Sequence, residues 1–174
     1  MKAIILAAGE GKRLRPITET KPKCLVEING KSLLNHQISI LKSRNIKDIV
    51  LIGGYKAHML RGKGKRLHIN SEYKTTNMVY SLLTAIEELD EDAIISYGDI
   101  VYSPEILDIL INSKKDFSVA VDIAWRNYWE SRFVNPLLDA ETMRISEEGN
   151  ILELGKKTNN LSEIEGQYIG LIKL

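Results

Sequence analysis

Hydrophobic and polar residues follow two alternating patterns along this chain. Short apolar runs rich in β-branched residues, each ended by glycine or a turn residue, predict strands. Between them, apolar residues spaced three and four apart predict helices. The predicted strands are Ala3–Leu6, Ile49–Ile52, Leu67–Ile69, Ala93–Tyr97, Phe117–Ile123, Arg144–Ile145, Ile151–Leu154 and Tyr168–Lys173, and the predicted helices are Ser32–Ser43, Met78–Leu89 and Pro104–Ile111.

The strand–helix–strand rhythm of the first half predicts an α/β fold with a parallel, doubly wound sheet. Ligands of such sheets bind beyond the carboxyl ends of the strands. Glycines follow three of the predicted strands, in the loop after Leu6, at Gly53-Gly54 and at Gly98-Asp99. We therefore expect these three segments to converge, within the single domain that 174 residues most simply form.

Composition excludes several classes of function. The chain has 24 Lys and Arg against 23 Asp and Glu, a net charge of +1, which argues against binding to nucleic acid or a membrane surface. Its one cysteine, Cys24, cannot form an internal disulfide, and the three histidines lack metal-ligand spacing. No apolar run is long enough to span a bilayer, and Met1-Lys2 leads straight into a strand without a signal-peptide pattern. We expect a cytoplasmic protein.

The first loop is the most informative segment. The strand runs into LAAGEGKRL, residues 6–14, and the loop closes with Lys21-Pro22-Lys23. Glycines let backbone N–H groups approach an anion, and Arg13 and Lys23 can supply charge where a phosphoryl transition state develops it. Arg13 stands where a dinucleotide fingerprint needs a glycine, and the Ser or Thr of a Walker-type loop is missing. The loop therefore predicts triphosphate binding; the alternative is an ordinary charged surface loop.

Asp99 is a candidate metal ligand. It follows Gly98 at the end of an apolar strand. A carboxylate there can hold Mg²⁺ between phosphates, whereas the alternative is an aspartate in a β-turn.

Asn77 and Ser81 lie one helical turn apart at a predicted helix start. Side chains and free N–H groups there could read a base edge or a small polar ligand. The alternative, which is compatible with ligand contact, is that Asn77 only caps the helix.

Both tryptophans of the chain fall in the segment 122–133. If this segment is helical, Trp125 and Trp129 share one face. Aromatic walls near Asp122 would suit a cationic amine, and Arg132 would suit a carboxylate. The alternative is a small hydrophobic cluster under a loop.

The stretches LAAGEGKRLRPIT and KPK resemble the sugar-phosphate-type nucleotidylyltransferases, whose loop reads L-A-A-G-x-G-x-R-L-x-P-x-T followed by P-K. The stretches TTNMVYSL, ISYGDIVY and EGQYIGLIK narrow the resemblance to small cytidylyltransferases that activate phosphoglutamine, phosphocholine or aminoethylphosphonate. The resemblance covers essentially the whole chain. It implies a Rossmann-like three-layer sandwich with a mostly parallel mixed sheet, CTP and a phosphorylated small-molecule acceptor as substrates, Mg²⁺ as cofactor, and a role in capsule polysaccharide biosynthesis.

The resemblance also implies roles for individual residues. Arg13 and Lys23 would stabilise the triphosphate and the transition state, Asp99 would bind Mg²⁺, and Lys156 or Lys157 would meet the acceptor phosphate. The implied nucleotide contacts are Ala8, Gly9, Gly11, Gly53 and Gly54, with the two adjacent glycines on the cytosine side, and Leu6, Ala7 and Asn77 join them as candidates. Together with the residues singled out above, the candidate acceptor contacts are Ser81, Asp122, Trp125, Trp129, Arg132, Lys156 and Lys157.

The implied reaction is in-line attack by an acceptor phosphate oxygen on the α-phosphorus of CTP, with release of pyrophosphate and no covalent enzyme intermediate. Relatives of this type run longer and place a second metal-binding aspartate near their C-terminus, whereas this sequence has no aspartate after Asp139. We therefore expect a C-terminally shortened member, and the alternative is that a missing segment completes the site. An exposed edge on the final strand would invite pairing into a homodimer. The alternatives are a uridylyl- or thymidylyltransferase for sugar 1-phosphates and a nucleotide-binding module without turnover.

Overall fold

The computed structural model describes all 174 residues, Met1 to Leu174. The strands are β1 (Lys2–Ala7), β2 (Glu27–Ile28), β3 (Lys31–Ser32), β4 (Ile49–Gly53), β5 (Arg66–Ile69), β6 (Ala93–Tyr97), β7 (Ser118–Asp122), β8 (Met143–Ile145), β9 (Ile151–Leu154) and β10 (Gln167–Lys173). The helices are α1 (Leu33–Ser43), α2 (Met78–Leu83), α3 (Pro104–Asn112) and α4 (Trp125–Arg132). All strands and helices predicted from the sequence are present, and α2 is shorter than predicted.

The main sheet has six strands in the order β5-β4-β1-β6-β10-β7. β1 pairs in parallel with β4 and β6, β4 pairs in parallel with β5, and β10 runs antiparallel to β6. The remaining strands form two small two-stranded sheets, β2-β3 and β8-β9. The predicted α/β class with a mostly parallel mixed sheet is confirmed.

The chain divides into two compact units. The first unit comprises Met1–Val119 with Gly170–Leu174, and the second comprises Ala120–Ile169. The single-domain organisation remains a prediction. None of the helices is long and apolar enough to cross a bilayer.

The core of the first unit lies on the central strands. Ile4, Val50 and Ile95 belong to one buried cluster, which fits strands of a parallel sheet covered on both faces. Helix α1 begins where the sequence predicts, because the Ser32 hydroxyl accepts a hydrogen bond from the Asn35 N–H at 3.2 Å.

The predicted helix Met78–Leu89 is wrong beyond Leu83. Helix α2 ends there, the Thr84 hydroxyl donates to the Ser81 carbonyl at 2.7 Å, and Ala85 leaves the helical conformation at φ −131°. The apolar spacing misleads because Ala85 and Leu89 still pack on the sheet core from the short 3₁₀ turn that follows. Packing against the sheet, and not helix periodicity, places these side chains.

Glu88, in that 3₁₀ turn, is buried and fully paired. Arg66 donates to both of its carboxylate oxygens, at 2.6 and 2.7 Å, His68 Nε2 lies 2.9 Å from Oε1, and Lys2 Nζ donates to Oε2 at 3.3 Å. The hydrogen bonds from Arg66 are the main reason that the pKa of Glu88 falls from 4.5 to about 2. The ion cluster ties the turn to the first strand and to β5.

We expect Glu88→Gln to destabilise the chain by about 3 kcal/mol at pH 7, because the variant removes the buried carboxylate that pairs with both Lys2 and Arg66. A depressed folded-state pKa gives stability that is complete above 4.5 and is lost as the pH falls toward 2. Urea unfolding of wild type and variant should therefore show a free-energy gap that narrows between pH 6 and pH 3. Glu91→Gln, at a half-exposed carboxylate, serves as the control and should change little. A gap that stays constant with pH would contradict this account.

Candidate active site

A cleft of about 630 Å³ opens in the first unit where β1 and β6 end. Three segments line it, which are the first loop, the start of α2 with the residues before it, and the turn after β6. The lining residues are Leu6, Ala7, Ala8, Gly9, Glu10, Gly11, Lys12, Arg13, Leu14, Lys23, Cys24, Tyr73, Thr76, Asn77, Met78, Ser81, Tyr97, Gly98 and Asp99. The expected convergence of the first loop with Gly98-Asp99 is confirmed.

Gly11 shapes the first loop. Its φ of +62° lies in the left-handed region, and a Cβ built there would lie 3.0 Å from Lys23 Cβ and 3.1 Å from Thr18 Cγ2. The Thr18 hydroxyl donates to the Gly11 carbonyl at 2.8 Å. Glycine at this position therefore lets the two ends of the loop close on each other, which brings Lys23 beside the glycine-rich segment.

The first loop presents unused hydrogen-bond donors to the cleft. The backbone N–H groups of Gly9, Glu10 and Gly11 have no acceptor in the chain, and the Arg13 side chain has no hydrogen-bond or ion-pair partner. Glu10 is engaged elsewhere, since Lys12 Nζ lies 2.8 Å from its carboxylate and lowers its pKa. Clustered free N–H groups beside an unpaired guanidinium form an anion-binding concavity.

Asp99 is held on a tight turn facing the same cleft. The Gly98 N–H donates to the Leu6 carbonyl at 2.8 Å, and a Cβ on Gly98 would come within 2.8 Å of that oxygen. The Asp99 carboxylate forms an ion pair with Lys23. The turn after β6 thus contacts the first loop through a backbone hydrogen bond, to Leu6, and through a side-chain ion pair, with Lys23.

The protein carboxylates available for a metal are few. No group of three or more His, Cys, Asp or Glu side chains is arranged to hold a metal ion. Asp99 is the lining carboxylate not already paired within its own loop, and Mg²⁺ in nucleotide sites is often held by one or two carboxylates together with substrate phosphates. The donor set fits that kind of site.

Gly53 and Gly54 do not line the cleft. A Cβ on Gly54 would lie 2.7 Å from both the Ala8 carbonyl oxygen and Tyr73 Cβ, and the Tyr55 N–H donates to that carbonyl at 2.9 Å. Gly54 therefore lets the turn after β4 pack directly behind lining residues, whereas a Cβ on Gly53 would meet Ala57, Leu60 and Leu67. The contact of both glycines with a nucleotide remains a prediction.

Asn77 and Ser81 both line the cleft, and both are engaged in holding α2. Asn77 Oδ1 accepts from the Tyr80 N–H at 3.0 Å, so Asn77 caps α2, and its contact with a nucleotide remains a prediction. The buried Ser81 hydroxyl donates to the Asn77 carbonyl and accepts from Asn70 Nδ2 at 2.9 Å. Ser81 is thus part of the wall, and its contact with an acceptor remains a prediction.

Sequence reasoning missed Asn70, which is 1% exposed. Its amide nitrogen donates to the hydroxyls of Thr76 and Ser81, and its carbonyl oxygen accepts from the Glu72 N–H. A polar residue directly after β5 is the one signal that marks it, since the partners lie up to eleven positions away.

The tryptophans of the second unit lie on α4, a helix that the sequence alone leaves open, with ring centroids 6.0 Å apart. Trp125 is 3% exposed, donates from Nε1 to the Ile164 carbonyl and packs with Ala140. Trp129 Nε1 donates to the Asp139 carboxylate at 3.2 Å. For Trp125 the structure shows the hydrophobic-cluster alternative, and acceptor contact by either ring remains a prediction.

The charged acceptor candidates of the second unit have partners near them in sequence. Asp122 Oδ1 accepts from the Ala124 N–H at 2.8 Å. The Arg132 guanidinium lies 5.1 Å from the centre of the Tyr128 ring, which is cation–π geometry.

Lys156 and Lys157 are largely exposed. Lys156 Nζ lies 2.7 Å from the Glu153 carboxylate, and Lys157 Nζ lies 3.9 Å from that of Glu141. Weak surface pairs of this kind leave both ammonium groups able to exchange partners. Their role at an acceptor phosphate remains a prediction.

Residues 3–151 match the family described as the MobA-like NTP transferase domain, and the chain belongs to this family of nucleotidyltransferases. Among curated relatives, it is 45% identical to CTP:phosphoglutamine cytidylyltransferase of Campylobacter jejuni, over 99% of this chain and 72% of that protein. It is also 45% identical to choline-phosphate cytidylyltransferase of Streptococcus pneumoniae, over 59% of this chain and 46% of the relative. The resemblance to small cytidylyltransferases is confirmed.

Solved structures agree on the fold. The inositol-1-phosphate CTP transferase from T. maritima superposes with a TM-score of 0.76 at 20% identity, covering 99% of this chain and 69% of that one. The CTP:phosphocholine cytidylyltransferase from Streptococcus pneumoniae superposes with a TM-score of 0.66 at 25% identity and the same coverage. The nucleotidyltransferase fold therefore extends over nearly the whole chain.

Proposed function

We propose that this chain is a CTP-dependent cytidylyltransferase that transfers CMP to a phosphorylated small molecule, phosphoglutamine in the first instance, and releases pyrophosphate. The observation that carries the proposal is the set of free N–H groups at Gly9, Glu10 and Gly11, beside unpaired Arg13 and the Lys23–Asp99 pair. Identity of 45% to a phosphoglutamine cytidylyltransferase supports the choice of base and acceptor.

The first loop binds the triphosphate. Its N–H groups and the Arg13 guanidinium donate to the phosphate oxygens, whose negative charge they offset. Lys23 compensates the charge of Asp99 and places an ammonium group where the pyrophosphate leaving group gains charge. Ala8 and Gly9 line the cleft next to these donors and contact the nucleotide.

Asp99 is the residue that would hold Mg²⁺. When bound, the ion neutralises phosphate charge and orients the triphosphate. The protein's own contribution is to keep the carboxylate fixed on a turn that Gly98 pins to β1.

Chemistry follows by displacement at the α-phosphorus. An acceptor phosphate oxygen forms the new P–O bond in line with the breaking bond to pyrophosphate, which leaves with its electron pair. The protein needs no nucleophile for this, so catalysis consists of positioning and charge stabilisation. For the acceptor we propose Lys156 or Lys157 at the phosphate and Arg132 at the carboxylate, with Ser81, Asp122 and the rings of Trp125 and Trp129 as further candidate contacts.

Pyrophosphate release tests the proposal. With Mg²⁺ and phosphoglutamine, we expect release from CTP at a rate at least about tenfold above that from UTP, ATP, GTP or dTTP, because a base-selective site rejects analogues with mismatched polar edges. Reactions without acceptor give the background, and phosphocholine and aminoethylphosphonate serve as competing acceptors. Preference for UTP or dTTP with a sugar 1-phosphate would identify the alternative transferase. Calorimetric binding of CTP without release in any mixture would identify a binding module without turnover.

A further inference from the structure

Gln37 is a fully buried polar residue on α1. Its amide nitrogen donates to the Tyr97 carbonyl at 2.9 Å and to the Ile100 carbonyl at 2.8 Å. Its amide oxygen accepts from the Ser96 hydroxyl at 2.9 Å. Both N–H bonds and the carbonyl of this side chain are therefore used.

The two carbonyls that Gln37 binds flank Gly98-Asp99, one immediately before this pair and one immediately after it. A single planar amide thus bridges both ends of the turn that carries the candidate metal ligand. The Gly98 N–H bond to Leu6 pins the middle of the same turn from the other side. These hydrogen bonds restrict movement of the Asp99 backbone relative to the first loop.

Burying the Gln37 amide costs free energy of desolvation, and helix packing alone does not require an amide at this position. Gln37 lies three residues after Leu34 and four before Leu41, so it occupies the buried stripe of α1. An apolar side chain of similar length would suit that stripe, but it would take this donor from the Ile100 carbonyl and would leave the Tyr97 carbonyl with the longer bond from the Ser96 hydroxyl at 3.2 Å. The position is therefore specified by the turn after β6 and not by the helix.

We propose that Gln37 is a positioning residue for Asp99, which holds the turn so that the carboxylate meets the metal–triphosphate complex in one geometry. The proposal rests on the proposed function, because Asp99 acts as metal ligand there. Groups that orient a metal ligand typically change metal affinity 10- to 100-fold when they are removed.

Gln37→Met tests the proposal, with Gln167→Met as a matched control. Gln167 is also a buried glutamine whose amide nitrogen donates to two backbone carbonyls, of Glu141 and Gly166, but it lies in the second unit. Both variants lose the same kind of contact, so thermal unfolding should report similar destabilisation. Only Gln37→Met should affect Asp99.

Two readouts need no turnover. In the metal-free protein, hydrogen exchange at the Gly98 amide should become about tenfold faster in Gln37→Met than in Gln167→Met, because the turn opens more often. Electron paramagnetic resonance titration with Mn²⁺ and CTP should show about tenfold weaker Mn²⁺ binding in Gln37→Met. In the pyrophosphate assay, the Mg²⁺ concentration for half-maximal rate should rise by a similar factor.

Equal Mn²⁺ affinity and equal exchange at Gly98 in both variants would overturn the positioning role while leaving the enzyme's function intact. If wild type neither binds Mn²⁺ with CTP nor releases pyrophosphate, the proposed function fails first. Should Gln37→Met not fold, Ser96→Ala provides the milder test. It removes the hydroxyl that donates to the Gln37 amide oxygen and, at 3.2 Å, to the Tyr97 carbonyl, so it loosens the same anchor of the turn. We expect the same readouts to move by about threefold, whereas an unchanged Mn²⁺ affinity would overturn the proposal.

Discussion

Asp99→Asn is expected to lower the rate of pyrophosphate release at least about 100-fold, the scale of losing one charged contact at a reacting phosphate. The amide keeps the shape of the side chain, so the turn that Gly98 and Gln37 hold should persist. Binding of CTP in the presence of a chelator should stay within about threefold of wild type, because the variant removes a negative charge and no phosphate donor. Steady-state kinetics and calorimetry measure the two effects separately.

Asp92→Asn is the matched control for Asp99→Asn. Asp92 is exposed, precedes β6 at the opposite end of the same strand and does not line the cleft. Its substitution should leave the rate unchanged. A normal rate in Asp99→Asn would remove Asp99 from the metal site and would leave the first loop as the main support for the function.

Lys23→Met is expected to lower kcat by about 100- to 1,000-fold and to weaken CTP binding as well. Two effects combine, since the variant removes a cation near the triphosphate and leaves the Asp99 carboxylate without its partner. Like-charge repulsion between that carboxylate and the phosphates then opposes binding. Initial rates across CTP concentrations separate the two contributions.

Lys21→Met controls for the loss of one positive charge from the same loop, because Lys21 does not line the cleft. It should change both parameters by less than about threefold. Lys23→Arg keeps the charge with a different donor geometry, so it should retain CTP binding better than kcat. Equal losses in Lys21→Met and Lys23→Met would show that net charge of the loop, and not the position of Lys23, governs the reaction.

Much of the fold could be read from the chain, because each central strand is a short apolar run ended by glycine. β1, β4 and β6 are buried on both faces, so their composition alone marks them. The end of α2 could not be read in this way. Ala85 and Leu89 continue a helical spacing while packing on the sheet from a 3₁₀ turn, and a pattern of apolar positions does not distinguish the two.

The candidate site divides in a similar manner. The sequence alone identifies the glycines, Arg13 and Lys23 of the first loop, because their combination is unusual for one short segment. It does not identify Gln37, because the partners of this residue lie about 60 positions away and approach only when α1 packs beside β6. It does not identify Asn70 either, because the partners of Asn70, though at most eleven positions away, are brought to it by the fold of the segment between β5 and α2.

By itself, the sequence determined the α/β class, the phosphate-binding loop and the resemblance to cytidylyltransferases, because these depend on local composition and on motifs that are continuous in the chain. Only the tertiary structure decided that Lys23 pairs with Asp99 across 76 positions, that Gly54 packs behind the cleft wall, and that Trp125 is a core residue. The physical reason is that pairing, close approach and burial are properties of two surfaces in contact. A residue type indicates what a side chain can do, and the fold determines which partner it meets.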